Sequence, residues 1–126
     1  MHPNILRGQE NQEYFFREGC YIQEWSNSDA DPELSIARAR VSPGAVTRWH
    51  RLHGITERYV ILEGRGRVEV GEGQPQTVEP GDVVIIPAGA DQRIRNTGSG
   101  DLVFLALCNP RFVPEAYQDV DPAPEA

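Results

Sequence analysis

Apolar and polar residues alternate along much of this chain with a period of two. In residues 34–41, Ser35, Ala37, Ala39 and Val41 fall on one face and Arg38 and Arg40 on the other, as in a half-buried strand. Residues 14–26 also read as strand, and Ser42, Pro43 and Gly44 form a break after the second segment. Further strands are predicted over residues 47–52, 57–63, 65–70, 76–78, 82–87, 91–96 and 102–108. No segment carries a convincing 3.6-residue period, and no repeat of fixed length recurs. Roughly ten short strands with frequent turn signals predict an all-β sandwich or closed barrel rather than a βαβ sheet.

The length, 126 residues, fits one domain with a core of its own, so stability needs no disulfide staples. Residues 1–118 are read as that domain. Residues 119–126, acidic and Pro-rich without apolar anchors, are expected to be a disordered tail. The net charge of −7 opposes binding to a phosphate backbone or an anionic membrane, so neither nucleic acid nor membrane is an expected partner. All twelve cations are Arg, which excludes Schiff-base chemistry and a Lys general base. The first residues lack the basic and apolar regions of a signal peptide, and the chain is expected to be cytoplasmic. Cys20 and Cys108 lack metal-type spacing and are expected to be free, buried thiols.

Two stretches carry the chemistry. In the first, Gly44, His50, His53, Glu57 and Gly64 punctuate a pair of predicted strands. In the second, Gly81, Pro87, Gly89, Gln92 and Asn96 do the same. Together they resemble the two motifs of the cupin family. The first motif is a Gly, five residues, His-x-His, three or four residues, Glu, six residues and Gly. The second is a Gly, five residues, Pro-x-Gly, two residues, His, three residues and Asn. Gly44, Glu57 and Gly64 fit the first, and every position of the second fits except its His, which is Gln92. The resemblance spans residues 44–96 and implies a jelly-roll barrel, a double-stranded β-helix with its core over about residues 34–108.

The resemblance also implies a divalent Mn, Fe, Ni or Zn ion held by imidazole and carboxylate donors. Residues two apart on a strand share a face, so a His-x-His pair can aim two imidazoles into one interior. Here a four-residue gap before Glu57 places the pair at His50 and Leu52, and a three-residue gap places it at Arg51 and His53. Neither register supplies two histidines. The metal-binding arrangement open to this chain is His50, His53, Glu57 and the amide oxygen of Gln92, with a bulge or turn at His53 and Gly54 bringing His53 inward. The other arrangement is a metal-free pocket in which His50, Glu57 and Gln92 bond one another and water.

The same parity puts Tyr59 and Ile61 beside Glu57, and Ile94 beside Gln92, so that Tyr59, Ile61, Leu52 and Ile94 are expected to line the pocket. Arg58, Arg93 and Arg95 are expected to point outward, with Trp49 on an outer face or a subunit contact. The resemblance implies a homodimer. It also implies a metal-dependent enzyme of dioxygenase, isomerase or cyclase type acting on a small oxygen-rich molecule; without a metal, Glu57 and His50 are the acid/base pair the sequence offers. A non-catalytic small-molecule-binding or sensing cupin is the alternative.

Overall fold

Eleven strands and two single-turn 3-10 helices are built from these alternating segments in a computed structural model that describes residues 3–124. The strands are β1 (Tyr14–Phe16), β2 (Cys20–Ser26), β3 (Ser35–Val41), β4 (His50–Leu52), β5 (Thr56–Glu63), β6 (Gly66–Val70), β7 (Gln76–Val78), β8 (Val83–Ile86), β9 (Gln92–Asn96), β10 (Leu102–Asn109) and β11 (Tyr117–Asp119). They form two antiparallel sheets, one ordered β1-β2-β3-β10-β5-β8 and the other β11-β4-β9-β6-β7. This is the all-β jelly roll that the sequence predicts. No helix among the described residues is long and apolar enough to cross a membrane.

Alternation decides what fills the space between the sheets. Along β5 the buried residues are Glu57, Tyr59 and Ile61, and along β9 they are Gln92, Ile94 and Asn96. Ile61 and Ile94 pack with Val41, Leu102 and Phe104 in the main core. Each such side chain, fully withdrawn from water, stabilises the fold by about 1.5–3 kcal/mol. Leu52 lies in a second cluster with Ile55, Cys108, Ala116 and Tyr117. Cys20 and Cys108 are free and buried.

The structure departs from the expected elements in two places. Residues 14–26 are a hairpin rather than one strand, because Gly19 takes φ +105° and its N–H donates to the Phe16 carbonyl, turning the chain between β1 and β2. Residues 119–124 are not a free tail. Asp119 ends β11, which pairs with β4, and Asp121 accepts a hydrogen bond from the Trp49 N–H at 2.9 Å. Arg48 binds Asp119 and donates to the carbonyls of Ala123 and Pro124. The acidic residues that suggested disorder are the partners of a cation presented by the barrel. Residues 125 and 126 of that expected tail lie outside the described residues.

Two motif positions are structural. Asn96 is buried, donating to the Val41 and Gly100 carbonyls at 2.8 Å each and accepting from the Gly98 N–H at 2.9 Å, so it ties β9 to β3 and to the loop before β10. Gly64 takes φ +83°, and a Cβ there would meet the Asp101 carbonyl oxygen at 2.5 Å. Gly44 has φ +78° but open space around it. Gly44→Ala is therefore expected to cost only the left-handed backbone penalty, about 1–2 kcal/mol. Gly64→Ala should lose about 3 kcal/mol or more, because overpacking adds to that penalty. Urea unfolding of the two variants checks the difference, and equal losses would contradict the close approach of the two backbones.

Candidate functional site

The inner face of the six-stranded sheet carries a cavity of about 70 Å³. A water needs about 10–15 Å³ by the same measure, so the space suits roughly five waters or one small molecule. Its walls include Glu57 and Tyr59 from β5, Phe104 and Cys108 from β10, and Phe16 at the end of β1. Glu18, from the turn after β1, also lines it.

Glu57 is the deepest charge-bearing group in this cavity, 8 % exposed. It sits opposite Cys108 across the β5–β10 pairing, and the Cys108 thiol donates to its Oε2 at 3.8 Å. Its other oxygen, Oε1, is buried without a hydrogen-bond partner of good geometry. Burial pushes the Glu57 carboxyl up to about 7, and the nearby Glu18 carboxylate adds to the rise. His50, the Gln92 amide and the Cys108 thiol pull in the opposite direction without cancelling it. Burial likewise raises the thiols of Cys20 and Cys108 and the Tyr59 hydroxyl, which therefore remain protonated donors near neutral pH.

His50 lies behind this group, opposite Gln92 in the β4–β9 pairing and stacked on Tyr117 with ring centroids 5.4 Å apart. Its Nδ1 is 2.7 Å from the Arg48 carbonyl. A carbonyl only accepts, so Nδ1 carries a hydrogen. Nε2 faces Glu18 Oε1 at 3.3 Å, a contact that is favourable only with a proton between the two atoms. The second Glu18 oxygen accepts from the Cys20 thiol at 3.4 Å. Glu18 and His50 thus share a proton, Glu57 feels the charge of both, and a thiol donates to each carboxylate.

Gln92 is buried on the same side, and its Oε1 accepts the Tyr59 hydroxyl proton at 2.5 Å. His53 goes elsewhere. It is exposed at the end of β4, with Nε2 2.6 Å from Gln118 Oε1. Gly54 does form a turn with His53, at φ +71°, but that turn leaves the imidazole exposed. Three of the four expected ligands, His50, Glu57 and Gln92, are neighbours, and His53 does not join them. Among the described residues no three His, Cys, Asp or Glu side chains converge closely enough to hold a metal ion. The donor set of the described residues, one imidazole, one carboxylate and one amide without His53, therefore does not fit a divalent ion.

Of the expected pocket residues, only Tyr59 lines the cavity. Ile61 and Ile94 are core, and Leu52 belongs to the second apolar cluster. They face inward as parity requires, but the barrel is packed solid at their level. Arg58 and Arg93 are half-buried and Arg95 is exposed, and the Arg93 guanidinium covers Trp49 at 4.6 Å from its ring centre. Glu18 is the principal cavity residue that pattern reading misses. Gly19 directly after it was the available signal, since a Gly between two apolar runs marks a hairpin turn whose neighbours can reach inward.

Glu57 binds its proton more tightly folded than unfolded, where 4.5 is the ordinary value. Its contribution to stability is therefore complete below about pH 4.5 and is lost as pH rises through about 7. The loss amounts to about 3 kcal/mol at 1.36 kcal/mol per unit. Glu57→Gln, which cannot ionise, should remove that part of the pH dependence and be the more stable protein at about pH 8. Urea unfolding of both chains at about pH 5 and pH 8 measures this, and parallel behaviour would show that Glu57 titrates as an ordinary carboxyl.

Comparison with known proteins agrees with the barrel. A family model described as a cupin domain matches residues 37–108. The oxalate-binding protein of Thermotoga maritima is 38 % identical over 72 residues, 57 % of this chain and 59 % of that protein. An uncharacterised protein of Methanocaldococcus jannaschii is 30 % identical over 110 residues, covering 86 % of this chain and 85 % of its own length. Among solved structures, a predicted oxalate decarboxylase from Thermotoga maritima superposes with a TM-score of 0.76 at 25 % identity, over 85 % of this chain and 99 % of that one. With the family model covering more than half of its length, and both motifs lying on the strands and turns of a jelly roll, this chain belongs to the cupin family.

Proposed function

We propose that this chain holds a small hydroxylated or carbonyl-bearing molecule in the Glu57 cavity and moves a proton on it with its own side chains. The observation that carries this reading is the buried Glu57 Oε1, without a hydrogen-bond partner of good geometry, in the cavity wall near the Glu18–His50 pair. A carboxyl brought to about 7 is half ionised at neutral pH, which suits a general base that must later return its proton. In the reaction class that fits, ionised Glu57 takes the proton from a carbon next to a carbonyl. The C–H electron pair moves into the carbon–carbon bond, and the carbonyl oxygen receives the proton shared by Glu18 and His50. Reversal of these transfers at the neighbouring carbon gives an isomer, with no oxidant or co-reactant needed. Tyr59, held by Gln92, closes the wall behind Glu57 and keeps it dry.

A second reading is a binding module without turnover, and it is favoured by the relative whose name describes it as oxalate-binding. One experiment separates the two. Small hydroxyketones, with and without an amino group, are incubated with the protein in D2O, and loss of the C–H signal beside the carbonyl is followed by NMR. Catalysed exchange that drops at least about 100-fold in Glu57→Gln is the expected result. Exchange undiminished in that variant would overturn the proposed base, and saturable binding without exchange would assign the binding module.

A further inference from the structure

The cavity walls are one-sided in charge. Three carboxylates face it, Glu18, Glu24 and Glu57, while no Arg or His is among the described residues that line it. The unsatisfied polar atoms in its wall are also of one kind. Glu57 Oε1 is buried without a hydrogen-bond partner of good geometry, and Glu57 is more than nine-tenths buried. Asn27 Oδ1 is likewise buried and unpartnered, because the Asn27 amide donates its hydrogen the other way, to the Phe112 carbonyl at 3.0 Å. Both atoms are acceptors, so the missing partner is a donor. Phe16 and Phe112, set edge-to-face with centroids 6.5 Å apart, supply aromatic surface on the same wall.

An outer cavity shares Tyr14, Phe16, Glu24, Asn27 and Phe112 with this one and adds Arg17. Arg17 does not reverse the sign of the inner cavity, because its guanidinium lies over the Tyr117 ring at 4.7 Å. His50 shares its proton with Glu18 from behind, and although it acts on Glu57 at a distance, no cation among the described residues faces Glu24 or Glu57 from the cavity wall.

We infer that the molecule held in this cavity carries a protonated amine, which donates to Glu57 Oε1 and Asn27 Oδ1 and rests against Phe16 and Phe112. An ammonium supplies three N–H donors, its charge offsets the carboxylates, and an aromatic face attracts it further. A dicarboxylate such as oxalate brings only acceptors and negative charge to the same wall. This inference rests on the reading of the cavity as a small-molecule site and narrows what enters it.

Four probes matched in size test it on the full chain by protein-observed NMR titration at about pH 8. They are isobutylammonium, isobutanol, isobutyrate and oxalate. Isobutylammonium is expected to bind at least tenfold more tightly than isobutanol, with no saturable binding of isobutyrate or oxalate. Glu57→Gln should weaken the amine at least tenfold and leave isobutanol within twofold. Glu24→Gln, at a half-buried position, should weaken the amine alone and guards against a folding defect in the first variant. Tighter binding of isobutyrate or oxalate than of the amine would overturn the inference. So would an amine affinity indifferent to both substitutions. Binding of isobutanol or an acid without the amine would leave the cavity reading standing and remove the ammonium, whereas failure of all four to bind would remove both.

Discussion

The pairing of β5 with β10 fixes the geometry on which everything else in this domain depends. Once Tyr59 is placed opposite Ala106, and Glu57 opposite Cys108, the two-residue period of a strand leaves no freedom in what faces inward. The same register that sends Ile61 into the core sends Glu57 there as well, on a face where a carboxylate is costly to bury. Slipping the register would expose Glu57 but would also expel Tyr59 and Ile61, so the apolar residues of β5 hold its acidic one in place. The strain of burial thus comes from packing elsewhere along one strand, and it appears at the site as a carboxyl that gives up its proton reluctantly.

Around that carboxyl the chain has assembled weak donors rather than a cation. Thiols sit on Glu18 and Glu57, and an imidazole already committed to a backbone carbonyl faces Glu18. An Arg in any of these places would fix the carboxylates as permanent anions. Thiol and amide neighbours leave Glu57 able to change state, which the carboxylate of a structural ion pair is not. None of the twelve Arg residues lines this cavity; Arg40 pairs with Glu13 and Arg93 with Glu69.

Much of this was legible in the sequence, and the limits have physical reasons. Period-two order identified the strands and placed Glu57, Tyr59 and Gln92 inward, because a strand's faces are set by parity alone. The motif glycines marked the turns because a positive φ leaves few other choices. Parity could not say where along the barrel interior a void remains, so Ile61, Ile94 and Leu52 were expected in a pocket and lie in packed core. Nor does parity extend through a turn. Glu18 is brought to His50 by a hairpin that reads as continuous strand, and His53 sits where the strand ends and alternation stops. The acidic C-terminal segment was misread because composition does not reveal a partner such as Arg48, far away in sequence.

The stacking of Tyr117 on His50 gives the last strand a part beyond closing the smaller sheet. β11 is short, and it is held at its far end by Arg48 and Trp49. Its aromatic ring covers the imidazole that communicates with both carboxylates. The strand therefore works as electrical insulation: it keeps water from the rear of the proton cluster and so keeps the surrounding dielectric low. Fraying at that edge would open His50 to water first. How far water reaches His50 is in this sense set by the last strand, through a ring that also borders the outer cavity.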